Sequence, residues 1–353
     1  MVKIRPHHWA IWLGLSLALC MMTGCQSPSS DQPLKRFTYA ELHMATVFRI
    51  VMYAPNEATA NRAAEAAFYR VADLEDIMSD YDPRSELSRL SNQPPGTAIS
   101  VSEDLFNILT KSIRISQLSD GAFDVTIGPL VQLWRQARKT KHLPTSEEIE
   151  RSKQAVGFQH LKLDKTHRSV SLLVPGMRLD LGGIAKGYAA DQALAMLNSK
   201  GVNRAMVAAS GDIALGDAPP GKAGWTIAIE SIDTSTNSPA RTVVLTHAGI
   251  STSGDTEQYV EIDGRRYSHI VDAKTGLGLT ERIGVTVIAK NATTSDGLST
   301  TLSVLGTNRG LQLAERVTGV SALVVTLEEN GRKNVIQSHR MQKMHLLHQE
   351  AEK

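Results

Sequence analysis

The sequence predicts an α+β fold, a mixed set of helices and strands without strict alternation. Short runs of period-two apolar alternation and longer runs of helical apolar spacing share one chain. Several strand runs are joined by tight, hairpin-like turns such as Asp263-Gly264. Strands that follow one another through such turns argue against a regularly alternating parallel sheet. Residues 47–53 alternate as a strand, and 59–78 pair helical spacing with good helix formers. A second helix covers 102–116 with Ser102 as N-cap, and 127–137 and 146–156 read as helices too. Short strands follow at 161–163 and 170–173, then a helix over 183–198 whose end is marked by Gly201. Strands are expected at 205–209, 225–230, 241–246, 259–262 and 284–289. Helices at 294–305 and 309–316 precede a last strand at 322–327.

Composition bounds the function. The 353 residues are 42% hydrophobic, 21% charged and carry a net charge of +2, which gives no electrostatic footprint for nucleic acid. The only cysteines are Cys20 and Cys25, so the body beyond them holds no disulfide, cysteine-based zinc site or thiol nucleophile. Lys3 and Arg5 precede an apolar run over 11–22, too short for an ordinary membrane span. It ends in Met22-Thr23-Gly24-Cys25, which resembles the bacterial lipobox. The expected organisation is a lipoprotein signal peptide over 1–24, then a lipidated Cys25 and flexible tether over 25–36. A folded domain over 37–338 and a polar C-terminal tail over 339–353 complete it, the latter a loose helix or a frayed end. The protein is thus expected outside the cytoplasm, lipid-anchored on the periplasmic side, with Gln26 pointing towards the outer membrane.

The usual nucleotide signatures, G-x-G-x-x-G after a strand and G-x-x-x-x-G-K-[ST], are absent, as are H-E-x-x-H and G-x-S-x-G. Other constellations carry the candidate chemistry. In 179–187 the pair Gly182-Gly183 stands where a helix begins, and free N–H groups there attract phosphate. Lys186 falls in the first turn, where a cation opposes the helix dipole unless an anion is present. Asp180 is a candidate acceptor for a ligand, although the stretch reads equally well as a strand-to-helix turn with an aspartate cap. Asp296 and Thr300 are four apart on a helix and share a face, hard oxygen donors suited to Mg²⁺. Taken alone, Asp296 is first of all an aspartate near a helix start, where capping already favours it. His269, in a strand entering a turn, reads first as a surface strand histidine and second as a general base, and Tyr81 as a stacking ring or as a partly buried turn tyrosine. The stretch 121–130 reads by itself only as a loop leading into a helix with Pro129 in its first turn.

Their order along the chain says more than any of them singly. His43-Met44-Ala45-Thr46, the 81–90 stretch, 121–130 with Trp134, 180–187, Thr252-Ser253-Gly254-Asp255, 269–276 and 296–300 together resemble the FAD:protein FMN transferase family, the ApbE-like flavin transferases. The likeness spans about 44–306. It implies a two-lobed mixed α/β domain with FAD in a cleft between the lobes. Met44, Tyr81, Ala122, Phe123, Asp124, Asp180, Lys186 and Ile270 fall on FAD-contacting positions of the family. Gly183, through its backbone carbonyl, Asp296 and Thr300 fall on its metal ligands, and His269 on its catalytic histidine. The chain departs from the family pattern at Ala45, Ser210, Ala273, Thr256 and Ser299. The resemblance implies an Mg²⁺-dependent enzyme that splits FAD, joins FMN by a phosphoester to a threonine or serine hydroxyl, and releases AMP. The acceptors it implies are exported proteins such as redox-pump subunits. Two other readings are an Mg²⁺-dependent FAD pyrophosphatase, with water as acceptor, and a lipoprotein that binds FAD without cutting it.

Overall fold

A computed structural model describes residues 33–229, 241–254, 259–328 and 330–344, and the backbone of 347–348. Cys25, the expected signal peptide over 1–24 and residues 25–32 of the expected tether lie outside the described residues. Among the described residues, no helix is long and apolar enough to cross a membrane.

The chain opens with a hairpin of β1 (Lys35–His43) and β2 (Thr46–Ala54), followed by the long helix α1 (Glu57–Met78) and the short α2 (Glu86–Ser91). After β3 (Ile99–Ser100) come α3 (Glu103–Leu118), α4 (Gly128–Thr140) and α5 (Ser146–Lys153), then β4 (Leu161–Asp164) and β5 (Ser169–Leu172). Helix α6 (Ala185–Ser199) leads to β6 (Ala205–Ala209), β7 (Asp212–Leu215), β8 (Trp225–Ile229), β9 (Arg241–Leu245) and β10 (Ala248–Gly254). The hairpin of β11 (Tyr259–Ile262) and β12 (Arg265–Ser268) precedes β13 (Arg282–Ala289), α7 (Ala292–Arg316), β14 (Ser321–Leu327) and β15 (Lys333–Gln337). The short α8 (His339–Gln342) and β16 (Leu347–His348) close the described chain.

An eight-stranded sheet in the order β1-β2-β6-β7-β10-β13-β14-β15 is the frame, and every pair in it is antiparallel. The α+β expectation therefore holds: hairpins join β1–β2, β6–β7 and β14–β15, and the remaining antiparallel neighbours are brought together from strands far apart in the chain or joined through α7. One face is covered by α1, α6 and α7. Alanines let these helices approach closely: Ala60, Ala63 and Ala67 of α1 and Ala189, Ala190 and Ala193 of α6 are all fully buried. Phe48, Ile50 and Met52 of β2 pack under them, and each such side chain contributes about 1.5–3 kcal/mol by leaving water. A second core on the opposite face joins Val51 and Ile250 to Trp225 and Val243 of the β8–β9 pair. A third joins α4 and α5 to the β11–β12 hairpin through Leu130, Trp134, Ile149 and Tyr267.

The helix starts follow the expected chemistry. Ser102 caps α3 by accepting from the Leu105 N–H, and Thr145 and Glu148 form a reciprocal capping box on α5. The two helices expected across 294–316 run together as α7, broken where Gly306 has φ +70°. Packing continues past 338 into the stretch expected as a tail. Met341 is fully buried, Arg340 donates to the carbonyls of Ala314, Val317 and Val320, and β16 pairs with β9.

Candidate active site

The register brings one end of the large sheet together. Ala209 pairs with Asp212, Asp212 with Ser251, Gly254 with Gly284 and Gly284 with Val325. That end forms one wall of a cleft of about 390 Å³. The other walls come from the 80–81 and 122–124 loops, the 180–186 turn, the segment 269–271 and one face of α4. Ile127, at the N-cap of α4, and Val131, Arg135 and Arg138 on the helix line the cleft at helical spacing. Of the residues predicted from sequence, Tyr81, Ala122, Phe123, Asp124, Asp180, Gly183, Lys186, His269, Ile270, Asp296 and Thr300 all line this cleft. Met44 is not among the lining residues. It stands in the two-residue turn between β1 and β2, where Met44 and Ala45 both have positive φ.

The acidic and basic groups are cross-braced. Asn291 caps α7 by accepting from the Thr294 N–H, so Asp296 lies a full turn inside the helix and does not cap it. Its Oδ2 instead accepts from the Gly187 N–H at 2.8 Å, serving the start of α6, where the N-cap residue Ile184 offers no side-chain acceptor. The two helices meet here because Gly187 has no side chain: a Cβ would come within 2.3 Å of the Ala292 carbonyl oxygen. Burial raises the Asp296 pKa to about 7, and the Asp212 carboxylate adds to this, against the pull of the Lys186 ammonium. Lys186 has the anion its place in the helix demands, for its Nζ is ion-paired to Asp212 Oδ2. Burial alone would lower its pKa, but the carboxylates of Asp212 and Asp296 outweigh that and raise it.

The opposite wall carries a second charge cluster. Asp180 accepts from the Gly182 N–H at 2.8 Å and from Arg135 at 3.2 Å, and Arg135 also donates to Asp80 at 2.5 Å. Burial, then the neighbouring Asp80 carboxylate, pushes the Asp180 pKa up to about 6. Asp124 is spent on structure: Oδ1 accepts from the Thr126 N–H and hydroxyl at 2.8 and 2.7 Å, and Oδ2 from the Phe158 N–H at 2.7 Å.

His269 is half-buried, and the backbone around it is fixed. Ser268 N–H donates to the Leu279 carbonyl, the Ser268 hydroxyl accepts from the Ile270 N–H, and Leu279 N–H donates to the Ile270 carbonyl. Trp134 Nε1 donates to the Gly276 carbonyl at 2.8 Å, fastening the turn after His269 to α4.

A hydroxyl seam joins β10 to α7. Ser251 meets Ser295 at 2.8 Å, and Ser253 meets Ser299 at 2.7 Å and Thr300 at 3.4 Å. Ser299, a departure from the family pattern, is thus held by Ser253 and by the Asp296 carbonyl. Thr256, another, lies outside the described residues. Gly183 and Thr300 approach so closely that a Cβ on the glycine would lie 3.1 Å from Thr300 Oγ1. The Gly183 carbonyl, the Asp296 carboxylate and the Thr300 hydroxyl are an all-oxygen donor set in one cleft, and of these the carboxylate has spent one oxygen on Gly187.

Sequence reasoning assigned no role to Asp80, Arg135, Arg138, Asp212 or Ser253, which all line the cleft. The spacing of Val131, Arg135 and Arg138 on α4 was the available signal for the two arginines. Asp212 and Ser253 depend on strand register, which local sequence does not encode.

Comparison with known proteins agrees with this fold. The ApbE family model matches residues 44–324. The FAD:protein FMN transferase of Vibrio cholerae is 32% identical over 331 residues, covering 93% of this chain and 97% of its own length. That of Salmonella typhimurium is 33% identical over 298 residues, covering 82% and 84%. Among solved structures, the flavin transferase ApbE from Vibrio cholerae matches with a TM-score of 0.80 at 31% identity, over 88% of this chain and all of that one. The apo form of Pseudomonas stutzeri flavinyl transferase ApbE matches with a TM-score of 0.78 at 30% identity, over 88% and 97%.

Proposed function

The chain belongs to the ApbE family, and on that premise we propose that it is an FAD:protein FMN transferase, dependent on Mg²⁺ and held at a membrane by a lipid on Cys25. Its substrates are FAD and a threonine or serine hydroxyl of an exported protein domain. The acceptor oxygen attacks the FMN phosphorus, the P–O bond of the pyrophosphate breaks, FMN is left in a phosphoester and AMP departs with the bridging oxygen.

The observation that carries this reading is the pairing of a half-buried cation with an oxygen donor set in one cleft. Lys186, between Asp212 and Asp296, is the charge for the pyrophosphate. The N-cap residue of α6, Ile184, supplies no side-chain cap, and the Asp296 carboxylate that serves the Gly187 N–H ties this helix start to the proposed metal site. The Gly183 carbonyl, Asp296 and Thr300 would hold the metal. Mg²⁺ supplies neutralisation of charge on the phosphoryl oxygens and on the departing phosphate. Asp180 and the ring of Tyr81 bind the planar parts of the nucleotide. His269 is proposed to accept the proton of the acceptor hydroxyl as the new P–O bond forms. The lipobox at 22–25 and the thiol-free body support export to the periplasmic side, and Gln26 supports the outer membrane.

The experiment is incubation of the chain with FAD, Mg²⁺ and a candidate acceptor domain, followed by gel fluorescence for covalent flavin. Asp296→Ala is expected to reduce labelling at least about 100-fold, since a metal contributes several kcal/mol to the transition state. Labelling unchanged in that variant would remove Asp296 from the metal site.

A further inference from the structure

One side chain ties together three parts of the cleft wall that are distant in sequence. Arg135, on α4, donates from Nη1 to Asp80 Oδ2 at 2.5 Å and from Nη2 to Asp180 Oδ2 at 3.2 Å. Its Cζ lies 3.9 Å from the centroid of the Tyr81 ring. Its Nε is buried without a hydrogen-bond partner. A guanidinium that forgoes one hydrogen bond while lying over a ring is positioned by that ring as well as by its carboxylates. The tyrosine lines the cleft yet is 73% exposed, so the face turned away from Arg135 is open. Asp80 and Asp180, at 18% and 9% exposure, are like charges that need the cation between them.

We infer that Arg135 is a positioning residue for the nucleotide: by bridging Asp80 and Asp180 it backs Tyr81 as a fixed stacking platform and holds the Asp180 carboxylate beside it as an acceptor. The ligand class is a planar heterocycle with an N–H donor edge. Tyr81 and Asp180 both line the cleft, and the same guanidinium contacts both. The identity of that ligand rests on the flavin-transfer reading; the geometry does not. FAD carries such a ring at each end, and its two halves, FMN and AMP, separate the possibilities.

The test is equilibrium binding of FAD, FMN and AMP to the purified chain, by flavin fluorescence and calorimetry, with steady-state kinetics alongside. Arg135→Met is expected to weaken FAD and one of the two halves by about ten-fold or more, leaving the other half nearly unaffected. KM for FAD should rise by a larger factor than kcat falls. Arg135→Lys keeps the charge without the planar fork and should recover only part of the binding. It also carries the test should Arg135→Met fail to fold. Tyr81→Leu added to either variant should cost little more, because ring and guanidinium act as one unit. Wild-type chain that binds FAD, with Arg135 variants that bind all three probes within about two-fold of it, would overturn the inference alone. Wild-type chain that leaves FAD unbound would overturn the flavin reading and this inference with it.

Discussion

At Asp296 a single carboxylate serves two elements, lying inside α7 while accepting from the first turn of α6. Its residue type and its four-residue offset from Thr300 were legible in the sequence as hard-ligand chemistry. Its partner was not, because Gly187 lies 109 positions away and only the packing of two helices brings it near. Asp180 gives a prediction with a sign. Its pKa is pushed from 3.8 to about 6 by burial and then by Asp80, so the folded state keeps the proton longer than the unfolded one. The stabilisation this provides is complete below about pH 4 and is lost as pH rises to about 6. The thermal midpoint of the ligand-free chain should fall over that window, and Asp180→Asn should flatten the fall; identical slopes would show that Asp180 is not its source. Ala45 offers a second test. It stands at φ +58°, in the left-handed region. That conformation costs a non-glycine residue about 1–2 kcal/mol, offset in part by the freedom glycine regains on unfolding. Ala45→Gly should therefore raise stability to denaturant by about 0.5–1 kcal/mol, and a loss of stability would contradict the turn geometry.

Helices with strong spacing or a cap were readable, and those at 59–78 and 102–116 match α1 and α3 closely. Strands poor in large apolar residues were not. β10 reads Ala-Gly-Ile-Ser-Thr-Ser-Gly, with Ile250 its one large apolar residue in a core, while Ser251 and Ser253 bond α7. β7 is only four residues long, too short to show a period, and β1 is an edge strand with a mostly exposed pattern. The contact between α6 and α7 sets the distance between Lys186 and Asp296, and Gly187 permits it. A Cβ there would also lie 2.7 Å from the Cβ of Asp296. Gly187→Ala should cost about 1–3 kcal/mol in chemical denaturation by overpacking, and should lower the transfer rate in the same preparation. A variant as stable and as active as the parent would mean that the helices do not need this approach.

For the molecule as a whole, three cores meet around one cleft, and each contributes a wall. The α+β class and the order of motifs were legible because hairpin turns and motif succession are local features. The walls' alignment was not, since it depends on register across strands from residue 46 to residue 327. The proposed lipid anchor at Cys25 supplies a prediction that belongs to the intact protein. Cys25→Ser should move the chain from the membrane to the soluble fraction of fractionated cells, since the acyl chains would be its anchor. Retention of that variant on the membrane would require another anchor. The central claim is that FAD is cut and its FMN half delivered to a protein hydroxyl, and intact-mass spectrometry tests it most directly. After incubation of purified chain, FAD, Mg²⁺ and an exported acceptor domain, the acceptor should gain the mass of one FMN less water while AMP appears in equal amount. AMP and free FMN appearing with an acceptor of unchanged mass would contradict transfer and leave hydrolysis in its place.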